Sequence, residues 1–367
     1  MKQYSAEEIR RLAFSHGRTW LEKNGPLWFN WTCSGFTIRF TGSVLRAVIR
    51  SVENQMPAFP GFPENPIEYP CVGVVGEDGE TLERRYECRE KEDTYELFSG
   101  DAGEHLLRLV KLSEGSRGQA GLVMLETDGE ILPADLPEKA LKIEFVGDSI
   151  TCGYGNECPN RDDHFNPNEE NGWMTYGAIA ARNIGAEFNM ISYSGISTAL
   201  PEHSRFPMRL PSMEELYAYT DREVQEKFGL EPEAWDFAAN KKDIVLINLG
   251  TNDVNPVRFA PDRGTAAREE AHFVKKYGEF IRKVRKLNGP DTLILSVLGP
   301  MDYYLYDKIR DAVSDYQKET GDERIRCFKF IGINLMSEGF GADGHPSMKT
   351  HQRIGAQLGE ILKEILA

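Results

Sequence analysis

The stretch LKIEFVGDSITCGYGN, residues 141–156, decides how this chain is read. A short, mostly apolar run, Ile143 to Val146 with Glu144 inside it, breaks at Gly147-Asp148-Ser149, and a glycine-rich loop follows. Buried parallel strands have this pattern, and ligands of open α/β sheets bind just beyond the carboxyl ends of such strands. Ser149 therefore stands where a nucleophile is useful. Gly-Asp-Ser is also an ordinary turn sequence, so its meaning depends on the rest of the chain.

Downstream, strands alternate with helices. Strand patterns cover 142–148, 187–193, 243–250, 292–298 and 324–330. Helical patterns cover 171–185 (Asn171 as N-cap, Gly185 past the end), 266–287, 306–320 and 352–367. The alternation predicts an α/β domain, a mostly parallel sheet between two helical layers.

Upstream the signal is strands. Phe36, Ile38 and Phe40 alternate with polar neighbours, and Leu45, Ala47 and Ile49 repeat the period of two. Further short runs at 71–75, 84–89, 94–98, 105–112 and 121–126 are separated by turn signals such as Glu77-Asp78-Gly79 and Ser99-Gly100-Asp101. Seven or eight strands without helices between them predict a β-sandwich, a jelly roll, after a short leading helix capped by Ser5. The proline-rich segment Met56–Pro70 reads as a loop. Trp28, Phe29 and Trp31 are either core or a sugar-stacking platform. Turn residues and prolines between 127 and 142 put the boundary there, giving domains 1–135 and 136–367.

The 367 residues carry a formal charge of −15, which argues against nucleic acid or an anionic membrane as partner. No apolar run reaches the ~18 residues of a membrane span, and the amino terminus lacks the apolar core of a signal peptide. The six cysteines are scattered without a CxxC spacing, so they read as reduced thiols of a cytoplasmic protein, with Cys152–Cys158 the pair an oxidising compartment would form. Nothing in the composition fixes an oligomeric state.

With the three strands ending near 148, 193 and 250 parallel, Ser149, Gly195 and Asn252 share one sheet edge. A later loop brings Asp343-Gly344-His345-Pro346 ahead of the last helix. Together these supply what acyl transfer needs. Ser149 is the nucleophile and His345 its base. The backbone N–H groups of Ser149 and Gly195, with the Asn252 amide, are the oxyanion donors. Each piece has a plainer reading: Gly195 as a turn glycine, Asn252 as a cap, His345 as a surface histidine.

These residues resemble the SGNH (GDSL-type) hydrolase superfamily, whose four blocks stand here as GDSIT (147–151), SYSGIS (192–197), GTND (250–253) and DGHP (343–346). WFNWTCSGFTIRFTG, GQAGLVMLETDG and IEFVGDSITCGYGNE make the chain similar, over nearly its whole length, to carbohydrate esterase family 2, which joins a jelly roll to an SGNH domain. The resemblance implies a flavodoxin-like α/β/α catalytic domain, deacetylation of sugars, and no metal or organic cofactor. It implies Ser149 as nucleophile, His345 as base, and Ser149, Gly195 and Asn252 as oxyanion hole. The superfamily's acid usually precedes the histidine by three positions, where this chain has Ala342. Asp343, two before, is the third catalytic residue expected here, with a backbone carbonyl the alternative.

Trp173 is a candidate pocket wall or a core residue. Glu157, Asp162, Asp163 and His164 crowd one loop, but their spacing is irregular and no metal site is assigned. The insertion 200–242 is expected to add pocket wall or a lid. Two other functions stay open: a lipase, lysophospholipase or thioesterase on longer acyl chains, and a carbohydrate-binding module with the hydrolase domain as scaffold.

Overall fold

The structure is a computed structural model and describes residues 1–55, 66–160, 165–203 and 211–366. It divides into two compact units, Met1–Glu138 with His164–Trp173, and Lys139–Asp163 with Met174–Ala367. The segment 164–173, which the sequence assigns to the second domain, clusters with the first unit: the Gly172 N–H donates to Leu112 O at 2.9 Å.

In the first unit, α1 (Ala6–Leu12) starts at Ser5, whose hydroxyl and the Glu8 carboxylate form a capping box. Five longer strands follow: β1 (Gly35–Val52), β2 (Cys71–Val75), β3 (Leu82–Glu87), β4 (Glu92–Lys111) and β5 (Gln119–Thr127). With shorter strands they form one ten-stranded sheet among the described residues, with β5-β1-β4-β2-β3 as successive neighbours, all antiparallel. The two sequence patterns at 36–41 and 45–50 are one continuous strand, and so are those at 94–98 and 105–112. The turn signal Ser99-Gly100-Asp101 is absorbed as a register shift between Ser99 and Gly103. Turns and bulges draw on the same residue types, which is why the pattern alone separates what the ladder joins. Opposite the shift, Gly42 takes φ 123°, and a Cβ there would lie 2.3 Å from Asp128 Oδ1.

Phe36, Ile38, Phe40, Leu45, Ala47 and Ile49 are fully buried, so the period-two reading names the core face. Trp28, Phe29 and Trp31 are buried too, core rather than an exposed platform. Most of the loop 56–70 lies outside the described residues.

The second unit holds β6 (Lys142–Gly147), α2 (Ser149–Cys152), α3 (Tyr176–Asn183), β7 (Glu187–Ser192), β8 (Ile244–Asn248), α4 (Arg263–Asn288), β9 (Leu293–Leu298), α5 (Tyr306–Thr320), β10 (Ile325–Lys329) and α6 (Met348–Leu366). The five strands are parallel in the order β7-β6-β8-β9-β10, the flavodoxin-like arrangement. Every residue of β8 and β9 is buried, so helices cover both faces; α3 packs on α6 and α4 on α5. α3 starts later than its pattern: Thr175 is the N-cap, and Gly172–Met174 form a separate 3₁₀ turn. Gly185 closes the segment at φ 67°, as a C-terminal glycine does. All six cysteines are free thiols. No helix among the described residues is long and apolar enough to cross a membrane.

Candidate active site

The register of the parallel sheet builds the site. Gly147 lies opposite Ser192 on one side and Asn248 on the other, so three strands end in line at one edge. The chain leaves β6 through Gly147, where a Cβ would meet the Thr151 hydroxyl at 2.0 Å; only glycine permits so tight a strand-to-helix turn. Asp148 caps α2, its Oδ1 accepting the Ile150 N–H at 3.0 Å. Ser149 is the first residue of that turn, 6% exposed.

His345 arrives from the loop before α6. Its Nε2 is 2.9 Å from Ser149 Oγ, and its Nδ1 is 3.1 Å from the carbonyl of Ala342. A carbonyl only accepts, so Nδ1 carries the proton and Nε2 presents its lone pair to the serine hydroxyl. Asp343, the third catalytic residue expected from the sequence, is corrected here. It takes the left-handed conformation at φ 50°, which turns its exposed side chain to Tyr154; that hydroxyl donates to Asp343 Oδ2 at 2.9 Å. The carbonyl one residue earlier occupies the orienting position at Nδ1.

The histidine loop is tied to the serine loop at several points. The Ala342 N–H donates to Gly155 O at 3.1 Å, and the Met348 N–H donates to Asn156 O at 2.8 Å. Across the loop, Glu338 receives Arg353, the Thr350 hydroxyl at 2.8 Å and, on its carbonyl, the Ser347 hydroxyl at 2.8 Å. Arg353 above all holds the Glu338 carboxyl down to about 2.

On the other side, Gly195 follows β7 at φ 79° and Asn252 follows β8. The Asn252 side-chain amide donates to Ile196 O at 3.0 Å, which ties it to the Gly195 turn. Asp253 adds a second tie, accepting the Thr198 N–H at 2.8 Å and the Thr198 hydroxyl at 3.3 Å. Burial pushes the Asp253 carboxyl up to about 7 against those bonds, and the Asp148 carboxylate adds to the rise. Beneath Ser149, the Thr151 and Tyr176 hydroxyls are 2.8 Å apart, and the Tyr176 N–H donates to His351 Nδ1 at 3.2 Å. His351 is buried, which lowers it to about 3.

Ser149, His345, Gly195 and Asn252 thus gather at one edge of the second unit. Trp173, the candidate pocket wall, belongs to the first unit. It is 2% exposed, its indole N–H donates to Glu80 O at 2.8 Å, and the Arg108 guanidinium lies over its ring at 4.9 Å, all within the first unit. These contacts fit the core reading of Trp173. Of the acidic loop, Asp162, Asp163 and His164 lie outside the described residues, as do 204–210 of the insertion. Sequence reasoning missed Tyr154, Gly155 and Asp253. All three stand inside or beside the quoted blocks, but no spacing rule marks them.

A hydroxyl on an imidazole held by a carbonyl at its other nitrogen, with backbone and amide donors at the neighbouring strand ends, is equipped for nucleophilic attack on an acyl carbon. Comparison with known proteins points the same way. Residues 145–353 match the GDSL-like Lipase/Acylhydrolase family, and residues 15–135 match the Carbohydrate esterase 2 N-terminal domain. The cellulase/esterase CelE of Acetivibrio thermocellus is 35% identical over 280 residues, 74% of this chain and 32% of that protein. The chain therefore spans about a third of the length of that relative. An acetylxylan esterase / glucomannan deacetylase of Cellvibrio japonicus is 26% identical over 262 residues, 70% of this chain and 69% of that one. Among solved structures, a family two carbohydrate esterase from Clostridium thermocellum in complex with cellohexaose is 29% identical with a TM-score of 0.79, covering 96% of this chain and 99% of that one. An acetyl xylan esterase (Est2A) from Butyrivibrio proteoclasticus shares the fold, with a TM-score of 0.83 at 22% identity over 100% of this chain and 98% of that one.

Proposed function

The chain belongs to the GDSL-like lipase/acylhydrolase family, and from that premise we propose that it is a serine esterase removing acetyl groups from carbohydrate hydroxyls through an acyl-enzyme on Ser149. The observation that carries this reading is the 2.9 Å contact between Ser149 Oγ and His345 Nε2, with Nδ1 turned to the Ala342 carbonyl.

His345 Nε2 takes the Ser149 proton as Oγ attacks the acetyl carbonyl carbon. The negative charge that gathers on the carbonyl oxygen is met by the N–H groups of Ser149 and Gly195 and by the Asn252 amide. Each such donor contributes about 2.7–4 kcal/mol of transition-state stabilisation in comparable sites. Asn252 and Asp253 hold the Gly195 turn through Ile196 and Thr198, so these donors need little rearrangement as the charge forms. Collapse of the tetrahedral intermediate breaks the bond to the sugar oxygen, which takes the proton from the imidazolium. Water, activated by the same imidazole, then releases acetate.

The choice of sugar esters as substrate is supported by the relatives above, named as an acetylxylan esterase / glucomannan deacetylase and a family two carbohydrate esterase seen with cellohexaose. For the first unit we propose the jelly roll, supported by its two long bulged strands and its match to the family 2 N-terminal domain. The test is Ser149→Ala on p-nitrophenyl acetate and on acetylated oligosaccharides, which is expected to lower kcat by about 10⁴–10⁶-fold. Retained turnover in that variant overturns the assignment.

A further inference from the structure

The acid that a triad leads one to expect next to the histidine is present in this chain but engaged elsewhere. The Asp343 carboxylate accepts the Tyr154 hydroxyl at 2.9 Å, and the Tyr154 ring lies against the His345 imidazole, with centroids 4.3 Å apart and planes at 33°. We propose, resting on the Ser149–His345 reading above, that Tyr154 is a positioning residue that braces His345 and favours its imidazolium form through the ring face. Asp343 acts through Tyr154 and not on the imidazole itself.

The physical reasoning starts from the edges of the imidazole. Ser149 and the Ala342 carbonyl hold its two nitrogens, 2.9 and 3.1 Å away, and both contacts lie at the ring's rim. Neither resists tilting about the line that joins them; a ring packed on the face does. A carbonyl also lacks the net negative charge of a carboxylate, so the charge arriving with the serine proton is less well met at Nδ1. An aromatic face attracts a cation more than a neutral ring, so Tyr154 contributes more in the transition state than before it, which is the condition for acceleration. Donation of the phenol proton to Asp343 fixes the tyrosine's rotation and enriches its ring in electron density.

Among the described residues, Ser149 and Tyr154 lie against His345 from the serine turn and loop, Asp343 reaches it through Tyr154, and His351 of α6 interacts with it electrostatically. Burial lowers His351 to about 3, which keeps it neutral near pH 7.

The test compares Tyr154→Phe, Tyr154→Leu, Asp343→Asn and the double variant Tyr154→Phe/Asp343→Asn by kcat, KM, pH profile and ¹⁵N NMR titration of His345. Tyr154→Leu is expected to lower kcat roughly tenfold with KM within about twofold. Loss of imidazolium stabilisation also lowers the His345 midpoint, moving the acid limb of kcat/KM down by about half a pH unit. Tyr154→Phe and Asp343→Asn should each cost about threefold, and the double variant no more than either, because both break one contact. Two results overturn the proposal. One is wild-type kcat and an unmoved midpoint in both Tyr154 variants. The other is an Asp343→Asn loss that is undiminished in the Tyr154→Phe background or reaches about 10³-fold alone, which would make Asp343 the imidazole's direct partner. Should Tyr154→Leu fail to fold, the Tyr154→Phe/Asp343→Asn cycle and the NMR midpoints decide. The midpoints need no turnover, so failure of the brace is told apart from failure of the Ser149 assignment.

Discussion

Replacing Gly155 by alanine is expected to disable the site without touching any reacting group. Gly155 sits at φ 52°, and a Cβ added there would lie 2.4 Å from the Ala342 Cβ and 3.1 Å from the Ala342 nitrogen. Carbon atoms in ordinary contact are about 3.5–4.0 Å apart, so the two strands of chain must separate by roughly 1 Å. Ala342 has no side-chain torsion with which to yield, and it is fully buried. Its N–H is bonded to Gly155 O, and its carbonyl orients His345 Nδ1, so the displacement passes straight to the imidazole. A misplacement of about 1 Å in catalytic geometry costs about 10²-fold in rate. Left-handed strain of about 1–2 kcal/mol and overpacking of about 1–3 kcal/mol together predict a stability loss of about 2–5 kcal/mol. At about 2–4 °C per kcal/mol for a domain of this size, the melting transition of the catalytic unit falls by roughly 4–20 °C. Initial rates on p-nitrophenyl acetate and thermal melts read both effects. The control is Gly155→Ala/Ala342→Gly, which removes the atom 2.4 Å away and leaves the left-handed strain. It is expected to recover most of kcat and only part of the melting temperature. Wild-type kcat in Gly155→Ala, or no recovery in the double variant, refutes the carbonyl-orienter account.

Two buried ionisable groups set opposite limbs of stability against pH. The Asp253 carboxyl is raised by burial from 3.8 to about 7, so the folded state binds its proton more tightly than the unfolded chain. Its stabilisation is full below the unfolded value and is lost as pH rises through about 7, amounting at most to about 4 kcal/mol. Asp253→Asn, which keeps an acceptor for the Thr198 N–H, is therefore expected to raise the melting temperature at pH 8 and change it little at pH 4; equal shifts at both values exclude this. His351 works the other way: burial lowers it from 6.5 to about 3, so its contribution is present above 6.5 and is lost as pH falls toward 3. His351→Asn retains an acceptor for the Tyr176 N–H and should flatten the acid side of the stability profile; an unchanged slope between pH 6.5 and 4 counts against the linkage.

Much of the fold is legible because burial imposes simple periods. The mostly apolar runs at 143–146 and 244–247 read as strands covered on both faces, and the structure buries them on both. Phe36, Ile38 and Phe40 read as one wet-faced strand and bury one face completely. What the pattern misreads is continuity. Gly42 and Ser99-Gly100-Asp101 look like chain reversals but lie within two long paired strands, because a bulge needs the same conformational freedom as a turn. Asn171 misleads for a related reason. It carries a good cap side chain, yet Gly172–Met174 form a separate 3₁₀ turn, and the helix waits for Thr175.

The site divides along the same line. The sequence places Ser149, Gly195 and Asn252 at one sheet edge because parallel register fixes where strand ends fall, and strand ends are visible as apolar runs meeting glycine. His345, which lies beside Ser149, is singled out by a short motif ahead of an amphipathic helix. The orienter is not found, since spacing along the chain does not determine which way a residue in a tight turn points. At φ 50° Asp343 faces Tyr154, and the carbonyl of Ala342, a group every residue possesses, takes the place at Nδ1. A backbone carbonyl leaves no mark in a sequence. What does leave a mark is the cost of holding it: a glycine at 155 that admits Ala342, and a tyrosine at 154 stacked on the imidazole. Both stand in the stretch from 141 to 156, so that stretch supplies Ser149, the nucleophile of the proposed mechanism, and also the contacts that hold His345 beside it.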